Sequence, residues 1–302
     1  MAFDITGLGT YIQNGQGYAI KSIAEAPTAK LLIETGNVQY GVKGTAAILK
    51  INSDIVFADA STCARTVSGS IALSNKNLVV KPIASYENMC PKVLWNTFYN
   101  ESVRQGQLPE ESFLPVFADT IMNERALKIA QENEKMIWRG VYSATGVTNL
   151  SRMDGIVTQV SATTTNATGS TMVEKLQNFF LACDSVVRNQ PDFIIAVPLV
   201  IYNEYLVALA NKNIYKAVDD MKLFGTTATL HPTVGLDGTR TVVGLRLSNL
   251  QLGMDGQSDA DTAQMRYSVE TTNWYCDFVF GLGIAVVFGD GTEAIKQTTV
   301  AA

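Results

Sequence analysis

The residues able to do chemistry are few in this chain, and their spacing does not suit it. The single histidine, His231, would have to serve any Ser–His–Asp or Cys–His site. It stands beside Pro232 in a stretch read as a loop, with nothing like a nucleophile elbow elsewhere, so a structural or surface role is expected for it. Cys63, Cys90, Cys183 and Cys276 are far apart and form no CxxC pair, which zinc sites and disulfide frameworks need; they read as reduced thiols. Asp255, Asp259 and Asp261 make an acidic turn, but the third position of a calcium loop is not acidic and the twelfth is Arg266, so a solvated turn is expected. Gly281-Leu282-Gly283 lacks the third glycine and the following helix of a dinucleotide fingerprint, and there is no GxxxxGK[ST] phosphate loop. Glu124 and Glu132 alternate with lysines on one exposed helical face, where nothing would split their pKa values into an acid and a base. No catalytic residue, cofactor or metal site is expected, and an α/β enzyme is the remote alternative.

The remaining question is what such a chain builds. Its 302 residues can bury a substantial core, yet only 17% are charged against 47% hydrophobic. That is below the roughly 25% charge of ordinary soluble domains and hints at surface covered by other chains. The net charge of −5 does not supply the dense cationic surface that strong sequence-independent binding to nucleic acid requires. The longest apolar runs, FIIAVPLVI and FVFGLGIAVVF, are too short to span a bilayer as helices, and the first residues lack the basic-then-apolar order of a secretory signal.

Along the chain, residues 1–37 are rich in Gly, Asn, Gln and Thr and read as an extended arm. Residues 38–83 read as strands broken by Gly, Asn, Asp and Ser, with too few large aromatics for a core, so a long hairpin leaning on a neighbour is expected. A short helix is expected at 90–101. A long one follows at 116–139, with Met122, Ala126, Ile129, Ala130 and Ile137 on one face and Glu124, Lys128, Gln131 and Lys135 on the other. Glu124–Lys128 and Lys128–Glu132 are i,i+4 pairs on its exposed side.

Thr171 and Glu174 predict a capping box opening a helix whose apolar face runs from Met172 to Val187. A buried strand at 192–197 and a helix near 201–211 come next. A long irregular segment to Asp237 precedes the closing strands. From Phe278 to Val286, bulky residues alternate with Gly281, Gly283 and Ala285. One face of that strand is nearly bare backbone, inviting a close neighbour.

This order of elements resembles the major capsid protein of tailed phages, the Hong Kong phage-type capsid fold that encapsulins share. Three stretches carry the resemblance. The long helix runs into MIWRGVYSATG and NLSRMDGIV, similar to a spine helix entering its peripheral domain. LQNFFLACDSVVRNQPDFIIAVPLVIYNEYLVAL is similar to the helix–strand–helix centre of an axial domain. MRYSVETTNWYCDFVFGLGIAVVFGDGTEAIK is similar to the closing strands that return along the spine, which implies that the long helix lies close to the small face of Gly281, Gly283 and Ala285.

The resemblance implies an α+β chain divided as a 1–37 arm, a 38–83 extended loop, an 84–170 peripheral domain, a 171–264 axial domain and 265–302 return strands. It implies self-assembly into hexamers and pentamers of an icosahedral shell around double-stranded DNA, without sequence-specific binding or a membrane. It places the protein in the virion, and in the host cytoplasm during assembly. With so short a stretch before the hairpin, a separate scaffolding protein or a processed chain is implied, with a portal and decoration proteins as further partners. An encapsulin-type compartment around a cargo enzyme is the alternative. Candidate intersubunit contacts are Lys43, Lys50, Asp54, Asp59 and Arg65 in the loop and Glu124, Lys128 and Glu132 on the long helix. Some relatives weld their subunits through a lysine; Lys43, Lys50 and Lys76 lie in the loop, and no motif singles one out.

Overall fold

A computed structural model describes residues 21–57, 69–90, 113–162, 168–214, 221–255, 262–268, 270–271, 273–291, 293–298 and 300. Residues 91–101 of the expected helix, the candidate contacts Asp59 and Arg65, and Asp259 and Asp261 lie outside these residues.

The fold is α+β and is organised by its longest strand, β10 (Asn273–Val286). Along one edge β10 pairs with β4 (Lys81–Met89). Along the other it pairs first with β9 (Thr262–Ser268) and then with β8 (Leu250–Met254). The short β1 (Val38–Tyr40) adds in parallel to β8 and completes a five-stranded sheet. A four-stranded sheet has the order β11-β7-β5-β6, from Ala294–Gln297, Val242–Arg246, Phe193–Pro198 and Thr229–Thr233. A separate two-stranded ribbon joins β2 (Thr45–Asp54) to β3 (Ser70–Val79).

The helices are α1 (Pro27–Glu34), α2 (Phe113–Arg139), α3 (Ile156–Gln159), α4 (Met172–Ala182), α5 (Ser185–Arg188) and α6 (Leu199–Asn211). The long helix α2 begins three residues before its expected start. Its buried stripe includes Met122, Ala126, Ala130 and Ile137, as the periodicity required.

Every residue of β5 is buried because both faces of its sheet are covered. Ile194 and Ala196 face a core shared with Met136, Ile137 and Trp138 of α2 and with Phe280, Leu282 and Ile284 of β10. Phe193, Ile195 and Val197 face the opposite way, toward Leu176 and Phe179 of α4 and Ile201 and Tyr205 of α6. The end of the long helix is thereby wedged between the two sheets.

Several expectations need correction. The segment before residue 38 is not an extended arm throughout: 21–24 and α1 are helical, and Ile23, Ala26, Ala29 and Leu32 are buried in the main core. Pro27 at the start of α1 supplies the fixed φ that a first helical turn tolerates. The helix at 172–187 is broken at Cys183 and Asp184, because the Asp184 side chain accepts from the Val186 amide and starts a new turn; Val186 is exposed. Thr171 caps α4 as expected, while the Glu174 carboxylate reaches back to the Ser170 amide. The irregular stretch before Asp237 contains β6 and a 3-10 turn at Val234–Leu236. His231 lies in β6, in register with Ala196 of β5, and not in a loop.

Candidate assembly surface

The ribbon β2–β3 stands apart from both sheets. Near its root, Ala46 and Ile48 lean on a small cluster with Leu78, Val80 and Ala285. Beyond Lys50 both faces of β2 are exposed. Ile51 lies directly opposite Leu73, and Ser53 opposite Ile71, so Leu49, Ile51, Leu73 and Ile71 form one stripe across the strands. These side chains are 55–75% exposed, and Phe57 beyond them is 94% exposed. An isolated two-stranded hairpin is marginal in water, and a bare aliphatic stripe makes it more so.

The small face of β10 explains how the ribbon is rooted. A Cβ at Gly283 would collide with the Val79 carbonyl oxygen and would lie 2.9 Å from the Val80 Cα. One at Gly281 would lie 3.0 Å from the Asp255 Cβ and 3.1 Å from the Val80 Cγ1. The close neighbour is therefore the β3–β4 junction at Val79–Val80. The long helix packs instead on the bulky side, with Phe280, Leu282 and Ile284. Ala285 joins the ribbon's root cluster. Bare backbone is needed where another backbone crosses, and a helix with side chains fits against large residues better.

The candidate contacts do not gather in one place. Lys43 is exposed between β1 and β2, and Asp54 is exposed at the far end of β2. Lys50 sits 4.5 Å above the Phe288 ring and 3.4 Å from Asp290 Oδ2. Glu124 and Lys128 are exposed on α2. Glu132 turns away from Lys128: its oxygens accept from Asn149 Nδ2 at 2.9 Å and Lys135 Nζ at 2.6 Å, and these two bonds, that from Asn149 foremost, hold its carboxyl below the usual range.

Glu134, which is not among the expected contacts, is almost wholly buried. Its Oε2 accepts from the Thr28 amide at 2.9 Å. Its Oε1 accepts from the Thr28 hydroxyl at 2.6 Å, the Thr233 hydroxyl at 2.7 Å and Trp138 Nε1 at 3.0 Å. One side chain thus ties α1, α2 and the end of β6 together. The signal was present in the spacing, since 126, 130, 134 and 137 fall on the buried stripe. Beside it, Gly235 lets the 3-10 turn lie directly on the Trp138 ring.

Several other ionisable groups are buried or paired. Burial pushes the Cys183 thiol up to about 12 and the Cys276 thiol up to about 11, so neither is a ready nucleophile. Burial also lowers the His231 pKa, against the opposing pull of Glu134. Asp255 is buried with Oδ1 unpartnered, contrary to a solvated turn at that residue. Arg240 grips Glu204 with two nitrogens, at 2.8 and 2.6 Å, and lowers its pKa. Among the described residues no cluster of His, Cys, Asp or Glu could hold a metal, and no helix is long and apolar enough to cross a membrane.

The fold as a whole, with its projecting ribbon, long helix and long returning strand, is similar to solved capsid structures. A chain of the satellite phage P4 procapsid, determined with its size determination (Sid) protein, matches over 94% of this chain and 90% of its own at a TM-score of 0.61 and 10% identity. The fold is the Hong Kong phage-type capsid fold. A chain of Gordonia phage Cozz matches this capsid fold over 90% and 87% at a TM-score of 0.58 and 13% identity. The capsid of Myoviridae phage XM1 matches over 89% and 92% at 0.54 and 14%. No family model and no curated protein sequence matches the chain.

Proposed function

We propose that the chain is the major capsid protein of a tailed double-stranded DNA phage, assembling into hexamers and pentamers of a closed shell. The carrying observation is the ribbon β2–β3, which exposes Leu49, Ile51, Ile71, Leu73 and Phe57 beyond the reach of its own body. Burying each such side chain contributes about 1.5–3 kcal/mol, and a second copy of the same chain would supply the cover. The capsid fold and the near-complete coverage on both sides support this reading.

In it, the unit around the four-stranded sheet forms the axial part of a capsomer. The five-stranded sheet and α2 form the peripheral plate, and the ribbon overlaps the next subunit. The role is structural and not enzymatic, which fits inert buried thiols and a histidine locked into a strand. DNA is enclosed without sequence-specific contacts, and a net charge of −5 suits a container that must release its genome. A separate scaffolding protein, a portal and decoration proteins would complete the particle.

Electron microscopy and sedimentation of the purified chain, alone or with its scaffold, test the proposal. Capsomers or closed shells are expected; a monomer that persists at high concentration overturns it. Replacing Lys50–Ser74, the register partners that close the outer ribbon, with an Asn-Gly turn should leave a folded subunit that forms no shells. Normal shells from that variant would remove the ribbon's role.

A further inference from the structure

Beyond its root, the ribbon also touches its own subunit through β2. On the inner face of β2, Ala46, Ile48 and Lys50 are partly covered, while from Ile51 outward every residue is exposed. Lys50 is thus the outermost described residue of β2 that touches the body. Its ammonium group lies over the Phe288 ring and beside Asp290.

The platform it rests on is rigidly built. The Phe288 amide donates to Asn249 Oδ1 at 2.7 Å, and Asn249 Nδ2 donates to the Phe288 carbonyl at 2.9 Å. The Val287 amide donates to the Asn249 carbonyl at 3.0 Å, and Asn249 is itself buried. The Ser161 amide holds the Gly289 carbonyl at 2.9 Å.

Both legs of the ribbon are held at its root. The β3–β4 junction is pressed onto bare Gly283. The β1–β2 connection passes through Gly41 and Gly44, both at positive φ, with the Val42 amide donating to the Met254 carbonyl at 3.4 Å and the Gly44 carbonyl accepting from the Val80 amide at 2.7 Å. A ribbon held at its root alone can tilt about it, and a contact farther out limits that tilt.

We propose that Lys50, seated between Phe288 and Asp290, is a strut that sets the angle at which the ribbon leaves its subunit, and so the geometry with which it meets a neighbour. The second half of this statement rests on the capsid reading; the first does not. A cation over an aromatic face and beside a carboxylate is held by two modest attractions, each weak at a surface. Together they bias an angle and leave it adjustable when a neighbour docks.

The test measures the angle directly. With Cys63→Ser and Cys90→Ser as background, spin labels are placed at Ser53→Cys and Arg152→Cys, both exposed. Labelled full-length chain is diluted into unlabelled chain so that only distances within one subunit are read. The parent should give one narrow distance distribution. Lys50→Met, which keeps the stem and loses the charge, should raise the displaced population roughly tenfold and broaden the distribution. Lys50→Arg should restore the narrow peak, because a guanidinium can stack on the ring and pair with Asp290 together. A Lys50→Met distribution identical to the parent overturns the strut, as does a broad distribution in the parent itself. Shells of Lys50→Met should also be more varied in diameter. If the parent forms no shells while the distances behave as stated, the capsid reading fails and the strut stands.

Discussion

Glu134 offers the sharpest test of how the subunit is held together. Replacing it with Ala removes the acceptor for the Thr28 amide, the Thr28 hydroxyl and the Thr233 hydroxyl at once. Trp138 Nε1 keeps a second acceptor, Thr28 Oγ1 at 2.8 Å. A buried donor left without a partner costs about 1–3 kcal/mol, so three of them, partly relieved by relaxation, should cost about 3–5 kcal/mol. Glu134→Gln can keep one oxygen where Oε1 stands and turn its amide nitrogen toward the Thr28 amide. One hydrogen bond becomes a donor facing a donor, at about 1–2 kcal/mol. Glu134→Leu fills the space but accepts nothing, so it should rank with Ala. Urea denaturation of the unassembled subunit gives the three values. Hydrogen exchange should show residues 21–34 opening first, because Thr28 is the link between α1 and α2. A Leu variant within about 0.5 kcal/mol of the parent would show that volume matters at this site and hydrogen bonding does not, and the reasoning would be refuted.

Two other outcomes follow from the same packing. Gly283→Val should abolish folding or soluble expression, because its neighbour is the Val79–Val80 backbone, whereas Gly281→Val meets side-chain carbons of Asp255 and Val80 and should be the milder by melting temperature; equal effects would contradict the register described for the ribbon root. His231 is held at a lowered pKa by burial, so the unfolded chain takes up its proton at higher pH than the folded one. Its contribution is complete above about pH 6.5 and is lost as pH falls toward the folded value. His231→Gln should lessen the decline in stability between pH 7 and 5, and an unchanged slope would count against a buried neutral imidazole.

Much of the fold was readable because local patterns were strong. The stripe Met122, Ala126, Ala130 and Ile137 repeats at helical spacing and is buried. The apolar run at 193–197 is a strand covered on both faces. The Thr171 cap is made by its own side chain, three residues from its partner. Elsewhere the pattern pointed to the right element and the wrong partner. Alternating glycines in β10 announced a close approach, but period two says nothing about which segment arrives, and it is the Val79–Val80 backbone. Residues 21–34 belong to a stretch read as an extended arm, yet Ile23, Ala26, Ala29 and Leu32 meet the body from one side of a helical segment. The 171–188 helix broke at Asp184 because a local cap outcompeted the continuing apolar spacing.

The sequence by itself determined the long helix, the capped helix and the buried strands, the lack of catalytic spacing and the order of parts from which the capsid resemblance could be drawn. Those properties depend on neighbours a few residues apart, which fix helical and strand periods and caps. Tertiary structure alone decided that Glu134 of α2 receives Thr28 and Thr233 from 106 and 99 residues away. It also decided that Lys50 rests on Phe288 and Asp290, and that the ribbon's aliphatic stripe is left uncovered by the described residues. Contacts between residues so distant along the chain are set by how sheets and helix pack, and residue spacing carries no record of that.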